Sequence, residues 1–159
     1  MKKYAIWLIF FLAFFLRVYR LDVLPFGFYE EEVTNAYVGR FILENGKDLY
    51  GNRWPILYFD KFGDFPPVLP LYLSGLSTYL FGFTEFAARF PTALVGALTV
   101  FPLFALAQFF LKEKRASLLA ALFLAIAPWH VVLSRTSAEG IMGFAVYTWG
   151  LLWLLAGIA

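Results

Sequence analysis

Phe90-Pro91-Thr92-Ala93-Leu94-Val95-Gly96-Ala97-Leu98-Thr99-Val100-Phe101-Pro102-Leu103-Phe104-Ala105-Leu106-Ala107-Gln108-Phe109-Phe110-Leu111 is a run of 22 residues without one charged side chain. A helix needs about 20 such residues to cross the hydrocarbon core of a bilayer. The run is closed by the basic cluster Lys112-Glu113-Lys114-Arg115, and a second apolar run follows from about 116 to 133. A short polar break, Arg135 to Glu139, separates it from a third run, about 140 to 159. Upstream, Lys2-Lys3 precede a charge-free stretch from Tyr4 to Leu16. No small-x-small cleavage site follows it, only the bulky Arg17-Val18-Tyr19-Arg20-Leu21. An uncleaved first span over about 4–21 is therefore expected, with Arg17 and Arg20 snorkelling to the interface.

The composition agrees. Apolar residues make up 62% of the 159, against about 45–50% in soluble proteins. Lipid is the solvent that accepts such a surface, so the fold class expected is an all-α, multi-pass transmembrane bundle. The net charge of +2 excludes a nucleic-acid partner, and the absence of Cys excludes disulfides and thiolate metal sites. Of 11 acidic residues, eight lie between Arg20 and Phe65. This polar segment is a loop over about 22–88. Within it, Glu30 to Asn45 reads as a helix that stops at Gly46 and carries Val33, Tyr37 and Phe41 at i+4 spacing. The piece from about 66 to 82 is apolar but short and holds Pro66, Pro67, Pro70 and Gly75, so it is read as a second juxtamembrane helix.

Positive charges set the topology. Lys2-Lys3 and the Lys112–Arg115 cluster both belong in the cytoplasm, and one span out and one span back satisfies both. The loop 22–88 and the Arg135–Glu139 turn are then external, in a plasma (inner) membrane protein. If the piece 66–82 crossed instead, the basic cluster would be outside and Glu139 would be separated from the acidic loop. Ionisable groups beside the hydrocarbon are costly and point to function. Here they are Glu30-Glu31-Glu32, the stretch Lys61-Phe62-Gly63-Asp64-Phe65-Pro66-Pro67, and Arg135 with Glu139. A carboxylate at a helix N-terminus is held ionised by backbone N–H groups and can serve as a base. The competing reading makes Glu30–Glu32 solvated cap residues, Arg135 an interface residue, and His130 and Trp129 parts of interfacial packing.

Gly27-Phe28-Tyr29-Glu30-Glu31-Glu32-Val33 and Glu44-Asn45-Gly46-Lys47-Asp48-Leu49-Tyr50-Gly51-Asn52 resemble the first external loop of the GT-C glycosyltransferases. The likeness is to bacterial relatives of protein O-mannosyltransferases and of lipid A aminoarabinose transferases. It continues through Phe62–Pro67, Phe81–Pro91 and Pro128-Trp129-His130-Val131-Val132-Leu133-Ser134-Arg135 to Glu139, in order along the chain. The resemblance implies an inverting transfer of a sugar from a polyprenyl-phosphate carrier to an acceptor hydroxyl on a glycan, lipid or protein. It places Glu31 and Glu32 at the family's Asp-Glu pair and Glu139 at a second acidic position, as catalytic residues. Arg135, with Lys61 or Arg89, is expected to meet the carrier phosphate, and Asp64, Pro66, Pro67 and His130 to support the loop. Relatives often carry Lys or His before the Pro-Pro pair, where this chain has Phe65.

No resident cofactor is implied beyond the donor; a divalent metal between carboxylates such as Glu31 and Glu139 stays open. Family members have more spans, so the chain reads as an N-terminal part, residues 1–159, expected to have little activity alone. The alternative is a multi-pass protein without enzyme activity, a transporter fragment or assembly subunit. A transporter is expected to place ionisable groups at mid-membrane, and the three later apolar runs hold only His130.

Overall fold

A computed structural model describes residues 4–60 and 63–158. It is 72% helical, and no strand forms among the described residues, only the isolated bridges Lys47–Arg53 and Tyr58–Pro67. The protein is an all-α membrane protein. The helices are α1 (Ala5–Val18), α2 (Glu30–Asn45), α3 (Val68–Phe81), α4 (Glu85–Leu98), α5 (Val100–Leu111), α6 (Lys114–Ile126), α7 (Pro128–Ser134) and α8 (Glu139–Ile158).

Sequence chemistry accounts for the breaks. Gly46 ends α2 in the left-handed conformation at φ 69, where glycine has no side chain to clash. Thr84 caps α4 by accepting from the Ala87 N–H, and Glu113 caps α6 by accepting from the Ala116 N–H. Helices α4 and α5 together run Glu85–Leu111, 27 residues, enough to cross a bilayer, as is α8 with 20. The run expected as one span over 116–133 is instead broken: α6 and α7 meet at 53°. Pro128 is the cause. It has no N–H to give and its ring collides with the turn before it.

Two cores result. Ala13, Ala97, Val100 and Ala125 pack α1, α4, α5 and α6 together, with Phe10, Phe14 and Phe101 against them. Small side chains at these crossings let backbones approach closely. Val38, Ile42, Phe59, Val68 and Leu71 form the second core, between α2, α3 and the loop joining them. That loop is held by Asp48, 3% exposed. Its carboxylate accepts from the N–H groups of Tyr50 and Asn52 and from the Asn52 amide at 2.8–2.9 Å. Asp48→Ala strips three donors of their acceptor and is expected to cost about 1–3 kcal/mol, with faster hydrogen exchange confined to residues 48–54. Exchange unchanged there would show that the turn holds without its carboxylate.

Candidate functional site

The three glutamates are the first turn of α2, so consecutive ones point in different directions, about 100° apart. Glu32 turns inward and is 1% exposed. It takes a two-pronged ion pair from Arg89 of α4, at 2.9 and 3.0 Å, and its Oε2 accepts the Tyr29 N–H at 3.0 Å. Arg89 is fully buried. It also pairs with Glu85 at 2.9 Å, donates to the carbonyls of Leu21 (3.2 Å) and Gly27 (2.5 Å), and sits 5.7 Å from the Phe28 ring centre. The catalytic role expected for Glu32 and the phosphate role expected for Arg89 are therefore corrected. Each satisfies the other away from solvent, and together they lock α2 to α4 and to the segment leaving α1.

Glu31 points the other way. It is exposed and lines a cleft of ≈ 460 Å³. Asp64 and Pro66 line it from the loop before α3, and Thr136, Ser137 and Glu139 from the α7–α8 turn. The structure thus brings together residues from three separated segments: Glu31, Asp64, Pro66 and Glu139. Asn35, one turn after Glu31, holds the floor. Its amide nitrogen donates to the Ser137 carbonyl and lies equally close to Ser137 Oγ, both at 3.2 Å. A carbonyl only accepts, so the amide oxygen is the atom turned away from Ser137. Ser137 Oγ lies 3.0 Å from Ser74 Oγ, which donates to the Ala88 carbonyl at 2.9 Å. Asn35 and Ser137 had no motif to announce them; the only signal was a polar residue on the inward face of each segment.

Arg135 is the second correction. Its guanidinium donates to the carbonyls of Leu16 (2.8 Å), Tyr19 (2.8 Å) and Leu24 (3.2 Å), with Arg17 O at 3.3 Å and Arg20 O at 3.5 Å. It closes the C-terminal end of α1, where unpaired carbonyls attract a cation. With its donors spent there, it does not reach out to a phosphate. Burial, and then the nearby Arg89 charge, lowers its pKa from the ordinary value. Arg17 is corrected likewise: it does not snorkel but is fully buried. His130 is fully buried too, with Nδ1 at 2.8 Å from Arg17, so it lies in the helix packing and not in the loop it was expected to support. Pro67 is the N-cap of α3, and Phe65 stacks edge-on against Tyr58. Lys61 lies outside the described residues, as do Lys2 and Lys3.

Among the described residues no three His, Asp or Glu side chains converge for a metal. Glu31, Asp64 and Glu139 line one cleft without closing on a point. A second hollow of ≈ 520 Å³ lies between α3, α4 and α8. Leu69 and Leu73 of α3, Leu98 of α4, and Met142, Val146, Trp149 and Trp153 of α8 line it. It begins within a turn of Pro66 and Glu139 in sequence, and its walls are almost wholly apolar.

The family model described as dolichyl-phosphate-mannose-protein mannosyltransferase matches residues 64–159, more than half of the chain. The chain belongs to this family. It is thus a member of a membrane glycosyltransferase family. Among curated proteins it is similar to an undecaprenyl phosphate-alpha-4-amino-4-deoxy-L-arabinose arabinosyl transferase of Pectobacterium atrosepticum. The two are 33% identical over 91 residues, 57% of this chain and 16% of that protein. A protein of the same description from Serratia proteamaculans is 30% identical over 122 residues, 76% of this chain and 21% of that protein. The chain therefore spans about a fifth or less of the length of these relatives. No solved structure matches it. The family match begins at Asp64 and includes the α7–α8 turn; Glu31 lies before it.

Proposed function

We propose that the cleft is the donor-sugar and acceptor site of a glycosyltransferase that draws on a polyprenyl-phosphate sugar and inverts the anomeric centre. The observation that carries the reading is the meeting of Glu31, Asp64 and Glu139 in one cleft, with an apolar hollow on α3, α4 and α8 whose lining begins within a turn of Pro66 and Glu139 in sequence. A lipid-linked sugar has the same two halves. Glu31 is exposed on the first turn of α2 and lines the cleft. It is suited to take the proton of the acceptor hydroxyl as that oxygen attacks the anomeric carbon. The carbon–oxygen bond to the carrier phosphate breaks, and the prenyl phosphate leaves. Arg89 and Arg135 are committed elsewhere, so Lys61, three residues before Asp64, is the remaining expected cation for that phosphate. The lining offers carboxylates and the Asn35 amide, and no cationic side chain among the described residues. It suits a sugar bearing an amine, as the names of the relatives also have it.

The topology supports the same site. Helices α4–α5 lead from Glu85 to the Lys112–Arg115 cluster, and α6–α7 lead back to the turn that carries Glu139. The basic cluster belongs in the cytoplasm, which puts the cleft on the external face.

Glu31→Ala in the protein as its cell makes it is expected to lower transfer from a labelled polyprenyl-phosphate sugar about 10²–10⁴-fold, the range for loss of a general base. Glu139→Ala should also lower it. Transfer unchanged in both variants removes the assignment.

A further inference from the structure

The Pro128 break costs the end of α6 part of its hydrogen bonding; the Leu124 carbonyl keeps the Ala127 N–H at 3.3 Å, and the Ala127 carbonyl keeps the Val131 N–H at 2.9 Å. In an unbroken helix the carbonyls of Leu124 and Ala125 accept from the N–H groups of residues 128 and 129. Residue 128 is proline and has none. Arg17 of α1 stands in for the donor missing at Ala125 and adds a second donor at Leu124. Its Nη1 donates to the Ala125 carbonyl at 3.0 Å and its Nη2 reaches the Leu124 carbonyl at 3.3 Å. Nη2 also donates to His130 Nδ1 at 2.8 Å, and Nε to Ser134 Oγ at 3.3 Å. A guanidinium only donates, so Nδ1 accepts and the ring proton sits on Nε2, 3.4 Å from Thr99 Oγ1. Arg17 is fully buried, and every partner the structure gives it is neutral. A carboxylate does not explain its presence; the Ala125 carbonyl, which has lost its helical donor at the break, does. At the same place α7 is pressed against α4, where a side chain on Gly96 would meet Ser134 Oγ at 2.3 Å and Arg17 Nε at 3.4 Å.

We infer that Arg17 is a positioning residue: it replaces the donor that the Ala125 carbonyl loses at the Pro128 break, holds α7 at its angle to α6, and so sets where the Ser137–Glu139 turn stands in the cleft. The link to the cleft is short. Ser134 ends α7, and Thr136, Ser137 and Glu139 line the cleft within the next five residues. Arg135, immediately after Ser134, fastens the same turn to the end of α1. The inference about activity rests on the function proposed above; the inference about the helix break does not.

A double-mutant cycle between Arg17→Gln and Pro128→Ala tests it. Alanine returns an N–H at residue 128 and lets α6 and α7 join as one helix. Arg17→Gln alone is expected to lower the melting temperature of the purified protein by about 5–10 °C. In the Pro128→Ala background the same change should cost at most half as much. Transfer should stay at least tenfold below wild type in the double variant, because the straightened helix carries the Glu139 turn away from Glu31. An equal loss in both backgrounds overturns the replacement of the lost donor. Full transfer restored in the double variant overturns the positioning role. If Arg17→Gln yields no folded protein, Arg17→Lys, which keeps the charge but not the fork, is put through the same cycle and read in the same way. A wild-type protein that melts as expected in the cycle but transfers no sugar would sink the proposed function and leave the helix-break inference standing.

Discussion

Replacing Arg89 with alanine is expected to destabilise the folded protein by about 3–5 kcal/mol, the cost of stranding one partner of a buried pair. Glu32 would be left 1% exposed with no cation. The carbonyls of Leu21 and Gly27 would lose a donor in the same step. The loss should appear as a fall of about 10 °C in melting temperature in detergent. Arg89→Lys should recover only part of it, because an ammonium cannot reproduce the fork that meets both Glu32 oxygens. Glu85 gives the internal comparison. It binds the same arginine at 2.9 Å, but its side chain is 39% exposed, so Glu85→Ala should cost no more than about 1 kcal/mol. Melting of Arg89→Ala within a degree of wild type would mean that this pair does not hold α2 to α4. Transfer should fall in Arg89→Ala as well, although Arg89 is buried and does not line the cleft. It sets the turn of α2 that directs Glu31 into the cleft.

Gly39→Ala and Gly75→Ala should each open the crossing of α2 and α3. A Cβ on Gly39 would lie 2.0 Å from the Leu71 carbonyl oxygen, and one on Gly75 would lie 2.3 Å from the Gly39 carbonyl carbon. Both obstacles are main chain and cannot rotate aside, so the helices must separate. Overpacking of this kind costs about 1–3 kcal/mol or more. Here it also loosens the core of Val38, Ile42, Phe59, Val68 and Leu71. Helix α2 carries Glu31 and Asn35, and α3 follows directly on Pro66, so sugar transfer should fall with stability. Gly140→Ala and Gly143→Ala are the controls. Nothing lies within 4 Å of a Cβ at either, and alanine is the better helix former by about 0.5–1 kcal/mol. Equal melting temperatures for the Gly39 variant and these controls would contradict the crossing.

The gathering of Glu31, Asp64 and Glu139 was legible in part, and for a physical reason. Charges are scarce in this chain, and the carboxylates cluster in the polar segment 22–88 and the turn before α8, which the packed helices bring together. Which of them are free to act was not legible. Glu31 and Glu32 are neighbours of the same type, and a helix sends them to opposite environments. Arg135 and Arg17 look alike in the sequence as cations at the edges of apolar runs, yet both are drawn inward by carbonyls that helix ends leave unpaired.

Membership of the lipid solvent, the helical class and the existence of a polar loop between the first and second apolar runs followed from the amino-acid order alone. They depend on long runs of apolar side chains and on local breakers such as Gly46, which act over a few residues. The tertiary structure decided the rest. It paired Glu32 with Arg89 across 57 residues, set Arg17 against the break 107 residues away, and left Glu31 facing the cleft. Those outcomes hang on which carbonyls and carboxylates are out of water. Only the packed helices determine that.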